Sequence, residues 1–109
     1  MSLRDQMRKG STDLVLLALL ADQPMYGYQI NQELERQSGG YFDMKEGLLY
    51  PALHRLQKEG FLTSQWQKAE TGRRRKYYAI TPAGRDYLAE QSAEWRTFMQ
   101  KLEEIIVQA

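Results

Sequence analysis

Apolar residues in the first third of the chain recur as expected of helices. The run Leu14–Leu20 is apolar on most sides, which is typical of a buried helix, and Ser11 or Thr12 is placed to cap it. A second helix is predicted from near residues 25–26 to about residue 38. Its inward stripe consists of Tyr26, Ile30 and Leu34, which lie four residues apart.

A third helix is predicted to follow, with a leucine stripe on its buried face. Asp43 and Glu46 are spaced three apart, as in a capping box, and Gly60 follows the last helical residue. Because a proline inside a helix removes one hydrogen bond, we expect the helix to begin late enough to place Pro51 in or near its first turn. The buried stripe consists of Leu49, Leu53 and Leu56.

The pattern after the third helix becomes one that is typical of strands. Phe61–Lys68 and Arg74–Ile80 are predicted strands, and the turn signal Thr71-Gly72 between them predicts a β-hairpin. Thr81 is then expected to cap a long C-terminal helix whose first residue is Pro82. The predicted fold class is therefore mainly α with a β-hairpin: three helices, the hairpin and one long helix.

Composition limits the chain to a single modest core. It has 109 residues, of which 42% are hydrophobic, so two independent domains are not expected. It has no cysteine, which excludes disulfides and thiolate metal sites and fits a reducing compartment. The apolar run at residues 14–21 is too short to span a bilayer. We expect a soluble, cytoplasmic protein.

The formal net charge of +1 conceals an uneven distribution. Residues 1–44 carry four basic and six acidic side chains, residues 45–85 carry nine and three, and residues 86–109 carry two and five. Because salt screens charges beyond roughly 8–10 Å, each region acts on its own neighbourhood. The middle region, with a local net charge of +6, therefore favours a polyanionic partner, although a solvated charged surface would show the same counts.

The face of the third helix opposite its leucines carries small groups, hydrogen-bond donors and positive charge. A helix of this kind fits the major groove of DNA, although an ordinary amphipathic surface helix would have the same pattern. Leu48 and the first-turn residues are expected at its exposed end. The candidate DNA-binding residues of this helix are Lys45, Glu46, Gly47, Leu48, Tyr50, Pro51, His54, Arg55 and Lys58.

The basic run at the hairpin turn favours DNA more strongly. Four adjacent cations repel one another unless an anion lies nearby, and long side chains on a protruding ribbon can reach phosphates or a minor groove. Strand alternation directs Arg74 and Lys76 to one face and Arg75 to the other. The candidate DNA-binding residues of the hairpin are Arg73, Arg74, Arg75 and Lys76.

The tyrosines allow more than one role. Tyr77 and Tyr78 follow the basic run, so they could stack on the bases of a single strand, but alternation places at least one of them in the core. Tyr26 and Tyr28 of the second helix could contact phosphates or simply pack. A single-strand binder therefore remains an alternative, as does a module that binds an acidic protein through the hairpin.

Apolar residues continue along the C-terminal helix in a short heptad pattern. Such a stripe exposed on a small protein would promote aggregation, and a helix from a second copy would cover it. A homodimer would also repeat the DNA-binding surface at two half-sites. The residues of this predicted interface are Leu88, Trp95, Phe98, Met99, Leu102, Ile105 and Ile106.

Nothing in the chain favours an enzyme. His54 is the only histidine, it lies beside basic residues, and neither a cysteine nor a pair of carboxylates accompanies it. Glycine-rich loops of the nucleotide-binding kinds are absent from the sequence. We therefore expect no catalytic residue, no metal site and no cofactor.

Several blocks of the sequence together resemble the PadR-like transcriptional regulators. They are residues 24–30, residues 47–56 with 59–60, and residues 72–78 continuing through 80–84. The last block is the most specific, because a glycine, spaced basic residues, paired tyrosines and a following Thr and Gly recur there as one unit. The resemblance implies a winged helix-turn-helix repressor that dimerises through its C-terminal helix and leaves its operator DNA when a small molecule binds.

The single C-terminal helix is similar to that of the short PadR subgroup. On this basis residues 1–81 are the expected DNA-binding domain and residues 82–109 the dimerisation helix. In drug-sensing members of the subgroup, tryptophans of the two C-terminal helices enclose flat aromatic ligands, which implies that Trp95, with Val15 nearby, lines a ligand cleft. Trp95 could instead be a dimer-core residue only. The family often has serine or threonine where this chain has Lys45 and Leu48.

Overall fold

The computed structural model describes the backbone of residues 3–108 and the side chains of residues 11–45 and 47–108. The described chain is mainly helical and contains one small antiparallel sheet, as predicted. Its elements are α1 (Leu3–Leu20), β1 (Met25–Tyr26), α2 (Gly27–Gln37), α3 (Glu46–Lys58), β2 (Leu62–Lys68), β3 (Arg74–Ile80) and α4 (Pro82–Gln108). Among these residues, no helix is both long and apolar enough to cross a membrane.

The sheet has the order β1-β3-β2, so β3 is its central strand. The predicted hairpin is confirmed, with Leu62 opposite Ile80 at one end and Lys68 opposite Arg74 at the other. The second helix begins at Gly27, next to the predicted residues 25–26, which themselves form the unpredicted strand β1 and pair with Tyr78 and Tyr77 of β3. The pairing is tertiary, and local periodicity does not reveal it.

Two of the predicted helix starts are wrong. The first helix begins at Leu3, so Ser11 and Thr12 lie inside it, because the Leu, Arg, Gln, Met and Lys residues that precede them are good helix formers. The cap of α3 is Lys45 rather than Asp43, and the backbone amide of Met44 just before it is held by the side-chain oxygen of Asn31 at 3.0 Å. A contact with α2 therefore holds the segment just before this helix start.

Pro51 lies deeper in α3 than predicted. It is the sixth residue of the helix and therefore belongs to its second turn. The start of α4 is as predicted: Pro82 is its first residue, and the hydroxyl of Thr81 accepts a hydrogen bond from the amide of Gly84 at 3.0 Å. Gly60, with a φ of 87°, follows α3 as its predicted stop.

The core forms where the three N-terminal helices meet the sheet. The predicted leucine stripe of α3 is fully buried, as are Ile30 and Leu34 of α2, whereas Tyr26, expected in the same stripe, precedes the helix and is half-buried. The largest buried side chains are Leu16, Leu17, Leu20, Ile30, Leu49, Leu53, Leu56 and Tyr78.

The N-terminal part of α4 packs on this core, and the rest projects from it. The rings of Phe61 and Tyr87 stack with centroids 4.3 Å apart, and Gly84 allows the helix to approach the carbonyl of Phe61. The 27-residue helix is about 40 Å long at 1.5 Å per residue, so it extends well beyond the core.

We expect Gly84→Ala to lower the free energy of unfolding by about 1–3 kcal/mol, as overpacking does. Its Cβ would collide with the carbonyl oxygen of Phe61 and would lie 2.8 Å from Cγ1 of Ile80. Urea denaturation followed by circular dichroism measures the change. Gly47→Ala is the matched control, since its added Cβ would meet no atom within 4 Å other than those of its chain neighbours and its own helix backbone. Equal stability of the two variants would contradict the prediction.

Candidate nucleic-acid interface

The outer face of α3 is exposed, as its pattern predicts. Gly47, Pro51, His54 and Lys58 are all exposed, opposite the buried leucines. Arg55 flanks this face and forms an ion pair with Asp13 of α1, with 46% of the arginine side chain exposed. The guanidinium of Arg55 is therefore held towards α1 by one of its nitrogens.

The start of α3 differs from expectation at Leu48. This residue is half-buried and packs against the core, instead of lying at an exposed end. Lys45 is exposed at the cap position, whereas the side chain of Glu46 lies outside the described residues. Tyr50 is 39% exposed, and a Cβ at Gly27 would lie only 2.5 Å from its hydroxyl oxygen. A glycine at this position therefore lets Tyr50 pack on the start of α2.

Three of the four hairpin cations lie over aromatic rings. The guanidinium carbon of Arg74 is 5.3 Å from the ring centre of Trp66, and that of Arg75 is 4.6 Å from Tyr26. The ammonium of Lys76 is 5.5 Å from the ring of Tyr78. These distances are within the roughly 6 Å range of cation–π attraction.

The hairpin register explains which rings these cations meet. Trp66 pairs with Lys76, so it shares a sheet face with Lys76 and, two residues away, with Arg74. Arg75 lies on the other face, beside Tyr26, as strand alternation predicts. Arg73 belongs to the turn, where its carbonyl accepts a hydrogen bond from the amide of Ala69 at 2.8 Å.

A groove of about 710 Å³ separates the hairpin from the start of α2 and the middle of α3. The groove brings the predicted residues Tyr50 and His54 together with the hairpin cations 73–76. Trp66 also lines the groove, although it was not among the predicted site residues. The register of the hairpin was the signal that could have revealed Trp66. The groove is lined by Tyr26, Gly27, Tyr28, Tyr50, His54, Trp66, Arg73, Arg74, Arg75, Lys76 and Tyr78.

The two tyrosines after the basic run have different environments. Tyr78 is 1% exposed, and burial, together with the nearby phenol of Tyr50, raises its pKa above the ordinary value. Tyr77 is half-buried and meets the ring of Tyr26 edge to face, with centroids 5.3 Å apart. Tyr78 is therefore a core residue and has no free face for a nucleic-acid base.

The second half of α4 carries a continuous apolar strip. Leu88, at the head of the predicted interface, packs against its own core, so the exposed strip begins near Trp95. The spacing of the strip is that of heptad positions. Its exposed members are Phe98, Met99, Leu102, Ile105 and Ile106, each between 44% and 69% exposed.

Trp95 lines an open hollow of about 240 Å³ on α4, together with Gln91, Glu94 and Phe98. Its ring meets that of Phe98 edge to face at 5.8 Å. Val15 lines a separate, much smaller cavity between α1 and α2, so a single chain does not bring it together with Trp95. No group of three or more histidine or carboxylate side chains within the described part of the chain is arranged to hold a metal.

Comparison with known proteins identifies the family to which the chain belongs. The family model "Transcriptional regulator PadR-like family" matches residues 16–90, which include α2, α3 and the hairpin. The chain belongs to the PadR-like family. It is therefore a transcriptional regulator, and the expectation that it is not an enzyme is confirmed by the family.

Two relatives are transcriptional regulators by name. The chain is 38% identical over 85 residues to a transcriptional regulator of Mycobacterium tuberculosis, covering 78% of this chain and 76% of that protein. It is 30% identical over 73 residues to the negative transcriptional regulator PadR of Bacillus subtilis, covering 67% of this chain and 40% of that protein.

Solved structures of PadR-type regulators have the same fold. A transcriptional regulator from Clostridium thermocellum superposes with a TM-score of 0.83 at 32% identity, covering 91% of this chain and 96% of that one. A PadR family regulator from Eggerthella lenta gives a TM-score of 0.81 at 28% identity, covering 93% and 86%. Both alignments include most of α4, so the long C-terminal helix is part of the shared fold.

Proposed function

We propose that this PadR-family regulator is a homodimeric repressor that occupies operator DNA and is released by a planar aromatic effector. The observation that carries the proposal is the groove that joins the outer face of α3 to the cations of the hairpin. Residues 1–81 form the DNA-binding domain in this proposal, and residues 82–109 form the dimerisation helix.

The helix α3 enters the major groove with its exposed face. His54 and Lys58 supply donors for base edges or phosphates, and the small residues Gly47 and Pro51 permit close approach. Lys45, Glu46, Leu48, Tyr50 and Arg55 complete the proposed contact set. Because Leu48 is half-buried and Arg55 is paired with Asp13, these two contribute only after local rearrangement.

The hairpin cations 73–76 contact the phosphate backbone or the minor groove. Three of them are already positioned by aromatic rings, so less conformational entropy is lost when they bind phosphate. Burial of Tyr78 and the packing of Tyr77 weigh against base stacking, so the duplex is a better partner than a single strand.

Two copies pair along the exposed strip of α4. The strip contains several large apolar side chains at heptad spacing on a helix that the core of its own chain does not cover. The Bacillus subtilis relative, which is a negative transcriptional regulator, supports repression as the direction of regulation.

The effector site is the hollow beside Trp95. Its aromatic side chains Trp95 and Phe98 suit a flat ring, and Glu94 adds a carboxylate that favours a cation. In the dimer the hollow is completed by the partner helix, and Val15 is expected to reach it only across that interface.

Alanine at Arg74 or Lys76 is expected to weaken binding to every duplex sequence and to lower the salt slope of the affinity by about one each. His54→Ala should instead change the sequence preference. Fluorescence anisotropy over a salt series, with mixed-sequence and selected duplexes and a single-strand competitor, measures both effects. Lys101→Ala on α4 is the matched control and should bind as the wild type does. Unchanged duplex binding after replacement of residues 73–76 together would refute the proposal.

Leu102→Glu is expected to give the mass of a single chain in sedimentation equilibrium, because it buries a carboxylate in the proposed seam. Operator binding should weaken in parallel, since the two half-sites are no longer linked. Gln100→Glu introduces the same charge on the opposite side of α4 and should remain dimeric. A Leu102→Glu protein of unchanged mass would argue against this interface.

Proflavine, a planar aromatic cation, is expected to quench Trp95 in a Trp66→Phe protein, where Trp95 is the only tryptophan. Trp95→Ala should bind the dye about two- to tenfold more weakly, which corresponds to the free energy of one lost aromatic stack, while remaining dimeric. The measurement is a fluorescence titration in the absence of DNA. Equal dye affinity in Trp95→Ala would show that the hollow is only part of the dimer core.

A further inference from the structure

Trp66 is a large aromatic residue that β2 leaves largely uncovered. It is 55% exposed, although it shares its sheet face with the buried residues Leu62 and Tyr78. Along that face the environment changes from the core, at Leu62 and Ile80, to the open groove at Trp66. The indole therefore lies at the point where the hairpin leaves the core and begins to line the groove.

The indole lies beneath a cation near the hairpin tip on the same face. The Arg74 guanidinium carbon is 5.3 Å from the centre of the Trp66 ring, and both residues line the groove. A guanidinium can stack on an aromatic ring and still present its N–H edge to a phosphate, since stacking uses the face of the group and hydrogen bonding uses its edge. Lys76, directly opposite Trp66, and Lys68, directly opposite Arg74, contribute two further charges on this face.

We propose that Trp66 is a positioning residue for DNA binding, which holds the Arg74 guanidinium in the groove in an orientation that receives a backbone phosphate. The inference rests on the proposed function of the hairpin in DNA binding. It assigns a role to a residue on β2, outside the basic run itself. The aromatic face of Trp66, rather than its bulk, carries the effect.

The test is a double-mutant cycle with a fluorescein-labelled duplex of mixed sequence, about three helical turns long. Trp66→Ala is expected to weaken binding about two- to fivefold, the range of an exposed cation–π contact. Trp66→Phe should keep most of the affinity. In an Arg74→Ala background, Trp66→Ala should cause no further loss, because the group that it positions is gone.

Two further variants separate positioning from a structural role. Trp66→Leu keeps apolar bulk without an aromatic face, so it should bind as weakly as Trp66→Ala while its circular dichroism and thermal midpoint stay close to those of Trp66→Phe. Gln65→Ala, an exposed neighbour on the other face of β2, should bind as the wild type does. The salt slope of Trp66→Leu should fall towards that of Arg74→Ala.

Wild-type affinity in Trp66→Leu, or losses from Trp66→Ala and Arg74→Ala that multiply in the double variant, would overturn the role of Trp66 alone. In that case the Arg74→Ala loss and the proposed function would stand. Duplex binding that is insensitive to Arg74→Ala and to replacement of residues 73–76 would overturn both.

Discussion

The central strand β3 is the element on which the geometry of this regulator depends. Its backbone pairs with β2 on one side and with the two residues of β1 on the other, and Tyr78 anchors it in the core. The residue Tyr26 ends β1 and immediately precedes α2, and its amide is bound by the side chain of Gln29 at 3.2 Å. The hairpin is thereby tied to the start of α2, so backbone hydrogen bonds hold these two sides of the groove together.

The concentration of positive charge on the hairpin has a structural counterpart in its aromatic residues. Four consecutive cations would repel one another on a flexible turn, yet three of them lie over the rings of Trp66, Tyr26 and Tyr78. The rings come from β2, β1 and β3 respectively, so the sheet itself distributes the charges over both of its faces. A net charge near zero is compatible with this local field because the acidic residues are concentrated elsewhere in the chain.

Features governed by short-range periodicity could be predicted from the sequence, whereas those governed by tertiary pairing could not. The leucine stripe of α3, the hairpin and the Thr81 cap follow from local patterns and are present. The strand β1 exists only because β3 provides partners for Met25 and Tyr26. The amide of Met44, just before α3, is bound by Asn31 of α2, and the ion pair of Arg55 depends on Asp13 of α1. In the sequence alone, Trp66 has the pattern of an ordinary strand residue. Only the hairpin register shows that it lies beside Lys76 and Arg74.

The close approach at Gly84 has a mechanical consequence. Because the backbone of α4 lies directly against the carbonyl of Phe61, next to the end of α3, the helix cannot change its angle to the core without breaking this contact. We therefore expect the core and the 27-residue helix to move together as one lever. In a dimer joined near the far end of that lever, a tilt of about ten degrees at the seam would displace a DNA-binding surface some 30 Å away by roughly 5 Å, a sizeable fraction of the approximately 34 Å that separates successive major-groove half-sites.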